Sequence, residues 1–148
     1  MNDLSWLFLY GLLSSYCLAG CLTEHFAIIR GWLYVAEEEF HDVHVAQGNG
    51  FGFVYVLPKI ALTVVIGALL FVRPANMPLG YLWAGAGLLA VSWLSSFVLQ
   101  FPIQRKIRQH KTAALAMRLY RTDTIRVVAM AIHNIVVWVL ILQAIHPA

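Results

Sequence analysis

The chain has 148 residues, of which 61% are hydrophobic and 11% are charged. An average soluble domain carries about 25% charged residues, and a soluble globule of this size cannot bury so much apolar surface. The composition therefore excludes an ordinary soluble enzyme and any disordered or collagen-like class. The formal charge of +3 does not indicate nucleic-acid binding, because the basic residues concentrate in one loop region, as membrane topology requires.

Four apolar runs have the length that a bilayer crossing needs. Lipid allows only helices or closed barrels, and uninterrupted apolar runs are not the alternating pattern of barrel strands. The sequence therefore predicts an all-α integral membrane four-helix bundle that forms one domain over residues 1–148. The predicted spans cover residues 4–32, 37–72, 79–104 and 112–145.

Prolines and glycines mark the places where these helices are expected to stop or bend. Pro74 and Pro78 flank the turn between the second and third spans. Pro58 and Pro102 lie inside predicted spans, where neighbouring groups can satisfy the freed backbone atoms. Three glycines near the start of the second span favour a kink or a break: Gly48, Gly50 and Gly52.

Basic residues are unevenly distributed between the two ends of the predicted bundle. With four spans, both termini and the turn at residues 73–78 lie on one side, and the other two loops lie on the opposite side. Arg73 is assigned to the first side, and seven residues are assigned to the second: Arg30, Arg105, Lys106, Arg108, Lys111, Arg118 and Arg121. The positive-inside rule then places those two loops in the cytoplasm and both termini outside.

Ionisable residues inside membrane spans are costly and are therefore candidates for function. Counting from the middle of each predicted loop places Glu24 and His44 at one depth, just inside the cytoplasmic boundary of the hydrocarbon. His41 lies one helical turn nearer the cytoplasm. The other hairpin brings further polar side chains near the same depth: Gln100, Arg118, Arg121 and Asp123. Each of the four spans thus contributes polar groups to one layer.

Glu24, His25, His41 and His44 are the candidate metal ligands of this layer. His41 and His44 share a helix face, and Glu38 precedes His41 by three residues, as in carboxylate di-iron bundles. A di-iron site needs a second such pair on another helix, which this sequence lacks. A mononuclear site needs fewer ligands, and imidazole suits copper, iron or zinc. Adjacent helical residues point about 100° apart, so we expect only one of Glu24 and His25 to face the site.

Three alternatives to a non-haem metal site stay open. The same residues suit metal-free acid–base chemistry, or they are simply hydrogen-bonded to the fourth helix. The third alternative is a haem held between two histidines. His44 and His133 lie about 22 Å apart in depth by helical rise, too far for one haem, whereas His25 and His44 are closer in depth.

Two more charged groups are predicted deeper in the spans. Lys59 falls at the depth of His133, so we expect an inward-facing ammonium with His133 as its hydrogen-bond partner. Asp123 and Arg126 are three residues apart and are predicted to form an intrahelical pair that lowers the cost of burial. They are also the candidate catalytic residues, because Arg126 suits a substrate carboxylate or phenolate.

The order of short motifs resembles a known family. Phe40-x-x-x-His44 precedes Phe-Val-Tyr-Val-Leu-Pro58, and the third span ends with Leu99-Gln100-Phe101-Pro102; a basic loop and Arg121-Thr-Asp-Thr-Ile-Arg126 follow. The pattern, from about residue 20 to residue 140, resembles small bacterial four-span membrane proteins of unknown function that are grouped with anthrone-oxygenase-like proteins. Asp123 stands where that family usually has Asn, Thr124 where it has Trp, and Val127 where it has Thr. Glu24 and His25 replace an apolar stretch.

The resemblance implies a four-span fold and an oxygenase or oxidoreductase activity. With the polar layer, it leads us to expect a membrane enzyme of the bacterial inner membrane that acts on an apolar aromatic or quinone-like molecule entering from the bilayer. Glu24, His41 and His44 would bind a metal or move protons, and Asp123 would orient Arg126 on the substrate oxygen. The alternative is a non-catalytic accessory subunit of a larger membrane complex, or of a homo-oligomer, whose polar layer only holds helices together.

The topology yields a direct prediction. A reporter fused after Ala148 should report an external location, and a reporter inserted in the loop at residues 105–111 should report a cytoplasmic one, because the basic residues divide seven to one. Paired fluorescent and alkaline phosphatase fusions at each site measure this. A cytoplasmic C-terminus would contradict the prediction and would also invert the depth assigned to every polar residue.

Overall fold

The computed structural model describes residues 3–72 and 77–145, and every regular element within these residues is helical. Three short segments have the wider π-helical turn and continue the helix before them. In chain order the elements are α1 (Asp3–Thr23) with the first π segment (Glu24–Ile29), α2 (Glu37–Phe51) with the second π segment (Gly52–Val56), α3 (Leu57–Phe71), α4 (Leu79–Ser95) with the third π segment (Ser96–Gln100), α5 (Phe101–Gln109) and α6 (Ala113–Ile145).

Four stretches are long and apolar enough to cross a membrane, which confirms the predicted all-α four-helix membrane bundle. They are Ser5–Ile29, Phe53–Phe71, Leu79–Gln109 and Ala113–Ile145. The third helix runs beyond the predicted end at residue 104, because Ile103 and Ile107 bury one face of α5 while its basic residues stay exposed. Arg73 and the turn around it lie outside the described residues, so the sidedness of the bundle stays a prediction.

The four spans pack in a ring rather than around one central helix. α6 contacts α1 and α4, and α3 contacts the same two helices. Within the described residues, the diagonal pairs α1 with α4 and α3 with α6 make no comparable contact. Short connections between neighbours give the up-and-down order of a simple four-helix bundle, and they leave the axis as the place where side chains from all four spans meet.

Two apolar cores lie along this axis. The larger one joins α1, α3, α4 and α6, and its fully buried members include Tyr10, Leu62, Leu82, Met130 and Val137. The smaller one lies at the end that carries the two basic loops and consists of Ile29, Trp32, Phe40, Ile103, Ile107 and Leu119. The Lys111 ammonium donates to the Val35 carbonyl beside this second core and ties the two loops together.

Prolines explain two of the three π segments. Pro58 and Pro102 each follow the end of a π segment by two residues. A proline inside a helix has no N–H and its ring collides with the carbonyl four residues earlier, so a wider turn just before it relieves the collision. The kink or break expected from the three glycines is therefore a π-helical turn, and the chain stays helical from α2 into α3.

Candidate functional site

A buried ionic cluster joins the first and last spans. The Arg126 Nη2 atom lies 2.6 Å from the Glu24 Oε2 atom and 2.7 Å from the Asp123 Oδ1 atom. The His25 Nδ1 atom lies 2.9 Å from the other carboxylate oxygen of Asp123. All four side chains are buried, and Asp123 is inaccessible to solvent. The predicted intrahelical pair of Asp123 and Arg126 is confirmed, and two residues of the first span complete it.

Glu24 and His25 both face α6, so the expectation that only one of them would point inward is wrong. They begin the first π segment, whose wider turn departs from regular helical spacing. Their partners Asp123 and Arg126 are one turn apart on α6, so adjacent residues can each reach a different partner. The His25 ring also stacks on the Tyr120 ring with centroids 4.4 Å apart, which fixes its orientation.

A cavity of about 230 Å³ adjoins the cluster. All four spans line it, together with α2 and with Trp32 at the start of the first loop. Its wall contains the acidic and basic groups Glu24, Arg126 and Lys59, two thiols, and several aromatic rings. The lining residues are Cys17, Gly20, Cys21, Glu24, Trp32, His44, Gly48, Val54, Tyr55, Val56, Lys59, Trp93, Ser96, Gln100, Phe101, Gln104 and Arg126.

The three π segments all border this cavity. Glu24 comes from the first, Tyr55 from the second, and Ser96 and Gln100 from the third. π-helical turns occur frequently at functional sites, because they rotate side chains away from the regular helical order. α6 stays regular where it supplies Arg126. Three spans therefore change their backbone geometry at one level, and the fourth contributes the central cation.

Lys59 lies in the wall of this same cavity rather than in a separate layer with His133. Its ammonium lies 4.4 Å from the centroid of the Trp93 ring. The His133 Nδ1 atom is instead 2.9 Å from the Gly85 carbonyl oxygen. The predicted pairing is wrong because a matched backbone depth does not fix where a long side chain points. The Lys59 ammonium reaches Trp93, which lies eight residues from Gly85 on the same helix, or about 12 Å by helical rise.

The candidate metal ligands do not come together. Glu24 and His44 do line one cavity, as their matched depth predicted. However, Glu24 is paired with Arg126, His25 is paired with Asp123, and His41 is exposed. Across residues 3–72 and 77–145, no group of three or more His, Cys, Asp or Glu side chains is arranged to hold a metal ion. The predicted mononuclear site of His41, His44 and one of Glu24 and His25 is therefore not assembled in the described part of the chain.

His44 lies half-buried between Trp32 and Phe40, with ring centroids 5.0 and 5.5 Å away. Burial, and then the neighbouring positive charges of Arg108 and His41, hold the pKa of His44 below its ordinary value. The neutral ring is therefore favoured, and it presents one nitrogen that can accept a hydrogen bond.

Some of the cavity wall was not identified as functional in the sequence. Cys17, Cys21, Tyr55 and Ser96 were not among the candidate site residues. A usable signal was present: Cys17, Cys21 and Glu24 follow one helix face, and Tyr55 with Lys59 and Ser96 with Gln100 are four residues apart. Gln100 was predicted for the polar layer and is buried there, whereas Arg118 and Arg121 are exposed.

Comparison of the chain with protein families, with curated proteins and with solved structures finds no match.

The ionic cluster should respond strongly to loss of its cation. Arg126→Gln leaves Glu24 and Asp123 buried without the guanidinium, so we expect a loss of roughly 3–5 kcal/mol in the free energy of unfolding, as for other broken buried pairs. Unfolding in detergent, followed by circular dichroism, measures it. Arg121→Gln, an exposed arginine of the same helix, is the control and should change stability by less than about 0.5 kcal/mol.

A double-mutant cycle tests whether the contact itself is responsible. Glu24→Gln combined with Arg126→Gln should cost clearly less than the sum of the two single changes, because the second change removes a group that the first has already left unpaired. Strictly additive losses would contradict direct coupling between the two side chains.

Proposed function

We propose that the protein is an oxidoreductase of the bacterial inner membrane that binds a neutral aromatic or quinone-like molecule in the cavity beside Arg126. One observation carries the proposal. Arg126 and Lys59 both line an aromatic cavity. The buried Arg126 Nε–H has no hydrogen-bond partner among the described residues, and the Lys59 ammonium faces the Trp93 ring rather than an oxygen acceptor. Buried donors without acceptors are costly, and a ligand oxygen in the cavity would satisfy them.

The formal charges around the cavity favour an uncharged ligand. Glu24 and Asp123 carry two negative charges, and Arg126 and Lys59 carry two positive charges, so the four groups cancel. A free carboxylate or phosphate would add an unbalanced charge in a medium of low polarity, which is expensive. A quinone carbonyl or a phenol accepts the same hydrogen bonds without that cost. Tyr55, Trp93 and Phe101 supply flat apolar surfaces for its ring.

The chemistry that these groups support is stabilisation of an oxyanion. A phenolic substrate that gives its proton to Glu24 acquires negative charge on the oxygen that Lys59 and Arg126 face. Fixed donors in a water-poor site stabilise such a charge far more than they would in water. The resulting electron-rich ring is more readily oxidised, and dioxygen is the electron acceptor that an oxygenase would use. Asp123 holds the guanidinium in place throughout.

An accessory-subunit role would also use the ionic cluster, because the cluster joins α1 to α6. That role gives no reason for an aromatic cavity with unsatisfied donors beside the cluster. The cavity is therefore the feature on which the proposal of ligand binding and oxidation depends.

Binding of a simple probe tests the proposal. A dimethoxy-methyl-benzoquinone without a side chain should quench tryptophan fluorescence of the detergent-purified protein saturably. Lys59→Met should weaken its affinity about tenfold, because a hydrogen bond from a charged donor contributes roughly 1.5–3 kcal/mol. Lys106→Met, an exposed lysine of α5, is the control and should bind as the wild type does. If wild type and Lys59→Met bind the benzoquinone with equal affinity, the proposal is wrong.

Metal content stays a prediction of the sequence. Glu24 and His44 are the candidate ligands that face one cavity, so a copper, iron or zinc ion bound there would use this pair. Elemental analysis of protein purified without chelators, beside His44→Ala, measures it. Near-stoichiometric metal that falls in the variant would support a metal enzyme, and wild-type protein without metal would contradict it.

A further inference from the structure

A second concavity lies outside the bundle, in the groove between α3 and α4. Its buried floor is formed by Ile66 and Leu89, and Phe97 forms part of its exposed rim. On α3 the groove runs from Thr63 to Leu70, two residues seven positions apart, which is about 10 Å of helix. It therefore extends along a transmembrane segment on the surface that faces lipid.

The groove offers hydrocarbon contacts and no free hydrogen-bonding side chain. Thr63 is the one polar residue in its lining other than Trp93. The Thr63 hydroxyl donates to the Lys59 carbonyl oxygen at 2.7 Å and accepts from the Trp93 indole N–H at 3.0 Å. Both polar groups are therefore already engaged, and the occupant that the groove suits is an apolar chain.

Trp93 belongs to the walls of both the cavity and the groove. Lys59, a cavity residue, lies over its indole ring, and Phe97, a groove residue, stacks on the same ring with centroids 5.5 Å apart. The polar cavity and the apolar groove thus meet at one side chain. The Trp93 indole is thus a common wall, and a substituent on a ring held in the cavity would reach the groove by passing the edge of this indole.

The dimensions agree with a ligand that uses both spaces. The cavity of about 230 Å³ is smaller than the roughly 300–1,000 Å³ of most small-molecule sites. The groove adds about 550 Å³ of apolar space. The cavity suits one ring with its oxygens, and the groove suits the remainder of a longer molecule.

We propose that the substrate is a long-tailed quinol, with its ring in the cavity and its hydrocarbon tail in the groove between α3 and α4. It would give two electrons and two protons to dioxygen, forming hydrogen peroxide, and leave as the quinone. This inference rests on the proposed function, because it assigns the ring to the cavity beside Lys59 and Arg126. It adds that substrates with a tail are selected over tail-free aromatic compounds, and that the tail leaves the site along α3.

Gly67 allows a test that leaves the ring site untouched. It lines the groove, and a Cβ added there would meet no atom within 4 Å, so a leucine side chain at Gly67 can start into the groove without a clash at its Cβ. Gly87→Leu is the matched control, because Gly87 on α4 is equally open and does not line the groove. The probes are the benzoquinone used above and the same ring carrying a decyl chain, with tryptophan quenching in one detergent as the readout.

We expect Gly67→Leu to weaken the affinity for the decyl probe at least fivefold and to leave the affinity for the tail-free probe unchanged. We expect Gly87→Leu to change neither affinity. Comparing one probe across variants removes the effect of its partition into micelles.

If Gly67→Leu leaves decyl binding unchanged while Lys59→Met weakens binding of both probes, the tail assignment is wrong and the proposed function stands. If Lys59→Met weakens neither probe, the ring assignment fails and the tail assignment fails with it. A loss of both probes in Gly67→Leu would also overturn the tail assignment, since the ring site would then have been disturbed.

Discussion

A guanidinium buried among membrane helices must be surrounded by acceptors, and this requirement organises the bundle around Arg126. Two carboxylates, one on its own helix and one on the first span, share its Nη2 atom at 2.6 and 2.7 Å. His25 then binds the second oxygen of Asp123. The register of α1 against α6 follows from these contacts, because a shift of one turn would leave a buried charge unpaired at a cost of several kcal/mol. Arg126 also lines the cavity, so the same residue joins the ionic cluster to the candidate site.

Backbone geometry does as much as side-chain chemistry to build the site. In two spans a proline replaces a helical N–H, and the π segment before it brings Tyr55, Ser96 and Gln100 to the cavity wall. In the first span no proline is involved, and the π segment begins at Glu24 itself. The site therefore lies where three helices depart from regular spacing, between two well-packed apolar cores that keep the helix ends in register.

The sequence predicted the parts of this arrangement that depend on hydropathy and on regular spacing. Span lengths, the pairing of Asp123 with Arg126 and the common level of Glu24 and His44 all follow from residue counts. Regular spacing failed at two points. Regular spacing predicted that only one of Glu24 and His25 faces the site. It also predicted that Lys59 pairs with His133, because the two residues have the same depth. Glu24 and His25 lie far from Asp123 and Arg126 in the sequence, and no local pattern indicates that the two pairs meet.

The separation of these partners along the chain has a consequence for biogenesis. His25 and Asp123 are 98 residues apart, so the first span leaves the ribosome long before the last one is made. Glu24 enters the membrane before Arg126, the arginine that pairs with it in the complete fold, has been made. The ring of helices closes only when α6 inserts between α1 and α4, which makes the last span the element that commits the polypeptide to its final packing. A chain that stops before α6 keeps its polar layer open and should be recognised by membrane quality control.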